Sequence, residues 1–130
     1  MTKLEAKFQS IFSRWVQNRW NGAPAAFELK RSLTQSLPLS SIKDHQIVAL
    51  RQAAGNGLYY KIPDAGFAQS PFDCFFLKGE GYLVVAYGAK LTGFYIVPIA
   101  IVERLKNIKV VSLTEKMAQE FGTYYELPKR

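Results

Sequence analysis

Four apolar segments rich in aromatic and β-branched residues succeed one another between Leu58 and Val97, bounded by glycine and proline. Segments of helical period stand before and after them. That arrangement limits the chain to a sheet with helices packed on it, because each apolar face must be buried against another element. The strands are Leu58–Ile62, closed by Pro63-Asp64-Ala65-Gly66, then Phe72–Leu77, Tyr82–Tyr87 and Leu91–Val97. The second and third read as a hairpin around Lys78-Gly79-Glu80-Gly81. Upstream, Leu4, Phe8, Ile11, Phe12, Trp15 and Val16 recur at helical spacing, which predicts an amphipathic helix over 3–19 that ends at Asn21-Gly22-Ala23-Pro24.

Ala25–Arg31 alternates as a short strand, and Ser32–Leu39 reads as a polar loop. A second helix is expected from Ser40 or Ser41 to Ala54, with Gly55 and Gly57 as stop signals, and a short one over Ile99–Leu105. Ser112-Leu113-Thr114-Glu115 has the spacing of a capping box for a last helix that ends at Gly122. The expected fold is α/β (α+β), a single domain over residues 1–130 with a central mixed sheet flanked by helices.

A chain of 130 residues in which 48% are hydrophobic can build a core without covalent staples. A lone cysteine, Cys74, excludes an internal disulfide, and one Cys with one His (His45) cannot fill a four-ligand zinc cage. The N-terminal segment has no signal-peptide core, and no run is long and apolar enough for a spanning helix. A cytoplasmic protein without a membrane partner is therefore expected. The net charge is +7, and residues 1–61 carry nine Lys and Arg against Glu5, Glu28 and Asp44. A polyanionic partner follows naturally, because phosphate contacts release counterions from nucleic acid.

Polar residues on apolar faces carry the chemistry, since a buried charge must be paired, hydrogen-bonded or metal-bound. Glu5 stands at the edge of the apolar stripe of the first helix, and Gln46 points inward with Ile42, Leu50 and Ala53 in the second. Glu28 and Lys30 leave one face of the strand whose other face carries Phe27 and Leu29. An i,i+2 ion pair of this kind is common on strands. Asp73 shares a face with Phe75 and Leu77 in a segment too apolar for an unpaired carboxylate. Lys61 is either a phosphate contact or an exposed edge charge.

Together these residues suit phosphodiester hydrolysis, which needs a hard cation on carboxylates with positions open for water and phosphate. Asp73 and Glu28 would hold Mg²⁺ or Mn²⁺, with Glu5 as an outer carboxylate. Lys30 would orient the attacking water or stabilise charge developing on the phosphate. Gln46 would position the water or a flanking phosphate. Lys3, Lys7, Arg31, Lys43, His45 and Lys61 are the candidate DNA contacts.

An acid in the first helix (Glu5), a strand with Glu28-x-Lys30 and a following helix with Gln46 resemble the PD-(D/E)XK nuclease superfamily. Phe27-Glu28-Leu29-Lys30, then Leu37-Pro38-Leu39 and Asp44-His45-Gln46, is similar in spacing to Holliday-junction resolvases of the penicillin-binding-protein-related-factor type. The resemblance spans roughly residues 4–62. It implies a restriction-endonuclease-like core, divalent-metal dependence, an endodeoxyribonuclease activity in recombination, replication or repair, and a homodimer on branched DNA. No Asp precedes Asp44, so Pro71-Phe72-Asp73 stands as the usual acidic motif placed after the helix, as in a permuted core. The alternative is a nucleic-acid-binding module without cleavage, in which Trp15, Trp20, Tyr59 and Tyr60 would stack on bases, although Trp15 suits core packing best.

Overall fold

The computed structural model describes residues 3–20, 25–55, 58–61, 74–77 and 80–128. Helix α1 (Lys3–Arg19) leads into strand β1 (Ala25–Ser32) and the short β2 (Ser36–Pro38). A 3₁₀ turn over Leu39–Ser41 then precedes α2 (Asp44–Gly55). Strands β3 (Leu58–Lys61), β4 (Cys74–Leu77), β5 (Glu80–Tyr87) and β6 (Gly93–Pro98) follow. The chain closes with α3 (Ile99–Asn107), β7 (Ser112–Thr114), α4 (Glu115–Phe121) and β8 (Thr123–Glu126).

The main sheet has the order β1-β5-β6-β8 and is mixed, with β1 parallel to β5 and the other pairs antiparallel. A parallel pair needs a crossover, and α2 lies on it. Alternation along β5 and β6 sends side chains to two cores. Val84, Ala86, Phe94 and Ile96 meet Phe8 and Phe12 of α1, with Phe27 and Leu29 of β1 packed against them. Phe12 meets Phe27 edge-on at 5.1 Å and Phe94 at 5.2 Å. On the opposite face Leu83, Val85, Tyr95 and Val97 meet Ile47 and Leu50 of α2, Val102 and Leu105 of α3, and Ala118 of α4. The expected mixed sheet between helices is the fold found.

Several local expectations change. β4 pairs with β3 in a separate antiparallel ribbon, Leu58 opposite Leu77, rather than forming a hairpin with the next strand. β5 is buried on both faces and takes the interior position between β1 and β6, the place where a continuously apolar strand is most stable. Gly81, expected in a turn, lies within β5. The polar loop after β1 holds β2, which pairs with β7, and the C-terminal segment adds β8 as the far edge of the sheet. Helix α2 begins at Asp44, after the 3₁₀ turn, in which Ser41 Oγ donates to the Pro38 carbonyl at 2.6 Å. Thr114, not Ser112, caps the last helix by accepting from the Met117 N–H at 3.2 Å.

Tyr87 links β5 to β7 by donating from its hydroxyl to the Leu113 carbonyl at 2.9 Å. Burial, then the charge of Glu115 and the neighbouring Tyr95, push this phenol far above its ordinary value. The folded pKa therefore exceeds the unfolded one of about 10, so the stability that neutral Tyr87 contributes is complete below that pH and is lost as pH rises above it. Tyr87→Phe should cost about 1 kcal/mol at neutral pH through the lost hydrogen bond, yet flatten the decline of melting temperature above about pH 10. Parallel melting curves against pH for the two proteins would contradict this.

Candidate active site

Glu28 and Lys30 leave β1 on the face that α2 covers, because Phe27 and Leu29 occupy the other face under α1. Among the described residues β1 is an edge strand of the main sheet, so a group on it is supported from one side by β5. Both polar side chains are only partly exposed, 28% for Glu28 and 16% for Lys30. Lys30 Nζ stands 3.8 Å from Glu28 Oε1. That separation is an ion pair but longer than a hydrogen bond, so the ammonium keeps donors for an incoming anion.

Gln46 completes the group. It is the third residue of α2, and its Oε1 accepts from the Lys43 backbone N–H at 2.9 Å, the reciprocal half of a capping box. A backbone N–H only donates, which fixes the amide orientation and leaves Nε2 free to donate onward. It donates to Glu28 Oε1 at 2.8 Å. Both contacts of Glu28 fall on Oε1, and Oε2 has no partner among the described residues. The inward Gln46 read from periodicity thus meets the carboxylate read from strand alternation, 18 residues away.

A divalent magnesium or manganese ion takes oxygen ligands, keeps several waters and often needs only one or two carboxylates. Glu28 Oε2 fits one such ligand. Asp73, the second expected ligand, lies outside the described residues, and no three His, Cys, Asp or Glu side chains gather as a metal cage among the described ones. Glu5 is half-buried one turn before Phe8, on the helix that covers the opposite face of the sheet from Glu28. Its carboxylate would have to reach round the β1 edge to share an ion with Glu28.

The expected DNA contacts separate into groups. Lys43 and His45 are exposed at the start of α2, flanking Gln46, and Lys7 is exposed on α1. Lys3 belongs to α1 and Lys61 to β3. Arg31 already has partners within the protein. Its Nη1 donates to the Gly88 carbonyl at 2.7 Å and to Ala86 at 3.3 Å, and Nη2 donates to Ala89 at 3.4 Å. These bonds tie the guanidinium to carbonyls at and just beyond the end of β5, and burial lowers its pKa. Arg31→Met should therefore cost about 1–2 kcal/mol of stability and leave DNA affinity unchanged. A melt and a binding titration on the same variant check both, and a severalfold loss of affinity would show that Arg31 contacts DNA.

Three polar contacts on the α2 side were not read from sequence. Arg51 of α2 meets Glu103 of α3 at 2.9 Å, Tyr95 donates to Glu115 at 2.9 Å, and Lys106 of α3 donates to the Ile42 carbonyl at 3.0 Å. A signal existed for Lys106, which lies four residues after Val102, on the inward stripe of its helix. No family model matches the chain, and neither does any curated protein or solved structure.

Proposed function

We propose that this chain is a metal-dependent endonuclease that hydrolyses phosphodiester bonds of DNA, with branched DNA such as a four-way junction as its substrate. The observation that carries the reading is the shared oxygen of Glu28, which faces Lys30 at 3.8 Å and Gln46 at 2.8 Å on one half-buried strand face. Gln46 holds Oε1, which leaves Glu28 Oε2 for a divalent ion, and Asp73 is the residue that the sequence offers as a second ligand. The bound ion would polarise a phosphate oxygen and acidify a water. Lys30, paired with Glu28 at 3.8 Å, would meet charge that develops on the phosphate. Exposed Lys43 and His45 hold the DNA backbone next to the site, and the +7 net charge favours the encounter. Symmetric nicking of a junction calls for a two-fold dimer.

The test is to incubate the full chain with labelled four-way junction, duplex and single-stranded DNA, in Mg²⁺, in Mn²⁺ and in EDTA. Cutting that needs the metal and disappears in Glu28→Ala, Lys30→Ala and Asp73→Ala supports the enzyme. Tight binding without cutting in either metal replaces it with a non-catalytic DNA-binding module. Absence of binding removes both readings.

A further inference from the structure

Lys106 has an ammonium on the inward stripe of α3, next to Leu105 and one turn beyond the fully buried Val102. A lysine there would ordinarily extend its head to water. Instead Nζ donates at 3.0 Å to the carbonyl of Ile42, just ahead of α2, where the first helical hydrogen bonds go to the Lys43 carbonyl. The Ile42 carbonyl belongs to the peptide unit whose N–H is that of Lys43. That N–H donates to Gln46 Oε1 at 2.9 Å, and Gln46 Nε2 donates to Glu28 Oε1 at 2.8 Å.

The three hydrogen bonds therefore run in one sense, from the ammonium through two amide groups to the carboxylate. Each amide has its oxygen toward Lys106 and its N–H toward Glu28. Aligned amides polarise one another, and a cation at the oxygen end strengthens the donor offered at the other. The contact also fixes the plane of the Ile42–Lys43 peptide, and that plane aims the N–H that orients Gln46.

We propose that Lys106 is a positioning residue for Glu28, acting through the Ile42–Lys43 peptide and the side-chain amide of Gln46. Its catalytic consequence rests on the nuclease reading, whereas the hydrogen-bonded relay does not. Docking of α3 on α2 does not depend on Lys106 alone, because Ile47, Leu50, Val102 and Leu105 share one core and Arg51 pairs with Glu103. Removal of the ammonium should thus disturb the aim of Gln46 more than the seat of α2.

Two readouts on the full chain test this. In the cutting assay, Lys106→Met should lower kcat by about 10- to 100-fold, the range usual for groups that orient a ligand, with KM for DNA unchanged. Lys106→Arg, which restores a donor, should recover most of the rate. Lys106→Met should add nothing to Gln46→Leu, because one broken link disables the whole relay. In the ¹⁵N-labelled protein, the Gln46 side-chain amide should exchange with solvent several times faster in Lys106→Met than in the parent and return toward the parental rate in Lys106→Arg. That signal is read without any DNA or metal. Additive losses of rate, or a Gln46 amide indifferent to Lys106, would overturn the proposal. A parent chain that cuts no DNA would sink the nuclease reading alone and leave the relay to the amide measurement.

Discussion

Glu28→Gln is expected to reduce metal-dependent cutting of junction DNA by about a thousandfold or more, while binding of the same DNA in EDTA stays within a few-fold of the parent. The substitution keeps size and an acceptor for Gln46 Nε2, so folding should be retained. It removes the negative charge that a divalent ion requires of its ligand. Lys30→Met should cost about 100- to 1000-fold, the usual effect of losing one donor to developing transition-state charge. The two effects should not add, since both groups act on one phosphate. Exposure sharpens the expectation. At 28% and 16% exposed, the pair is far less screened than ions at the open surface, so loss of either charge is felt strongly. Single-turnover cutting rates and a melting curve for each variant decide the matter. A Glu28→Gln protein that is folded and cuts within tenfold of the parent would remove Glu28 from the chemistry.

That expectation uses the part of the molecule most legible in its sequence. Alternation in β1 assigned Phe27 and Leu29 to one face and Glu28 and Lys30 to the other, and helical period turned Gln46 inward with Ile42 and Leu50. Each inference used a short-range rule, with the period of one element deciding one face. Partnership between elements obeys no such rule. Nothing in Ala25–Ser32 announces a parallel neighbour at Glu80–Tyr87, because a pattern gives the face and not the partner. The same gap hid Arg31, whose carbonyl partners lie 55–58 residues further on, and it placed Gly81 in a turn. β8 also escaped notice. Three of its four residues are exposed, so it lacks the apolar alternation by which strands are recognised. Lys106 falls just past the helix expected over Ile99–Leu105, and its acceptor is a backbone carbonyl, to which sequence gives no clue.

Gly81→Ala should be the most damaging single-methyl change among the described residues of β5, and the reason connects the fold to the site. A Cβ at Gly81 would come within 2.1 Å of the Leu50 carbonyl oxygen and 2.8 Å of its carbon, both backbone atoms of α2. No rotamer can relieve that contact, so the helix must retreat by about 1 Å from a closely packed sheet, at a cost of about 3 kcal/mol. For a domain of this size that lowers the melting temperature by roughly 10 °C. The partner of Gly81 across the parallel ladder is Ala26, also small, so α2 crosses the sheet where both strands leave room for its backbone. The same approach sets the reach of Gln46, one turn before Leu50, to Glu28 at 2.8 Å. A shift of about 1 Å takes that bond beyond hydrogen-bonding range, so the folded fraction of the variant should also cut DNA at least tenfold more slowly than the parent. Leu83→Ala makes the contrast. It leaves a cavity in the same core and should cost a comparable 2–5 kcal/mol, yet it does not push on α2 and should spare most of the rate below its melting temperature. Equal loss of rate in the two variants would show that cutting follows global stability. A Gly81→Ala protein that melts within about 2 °C of the parent would show that α2 does not pack on the sheet at this distance.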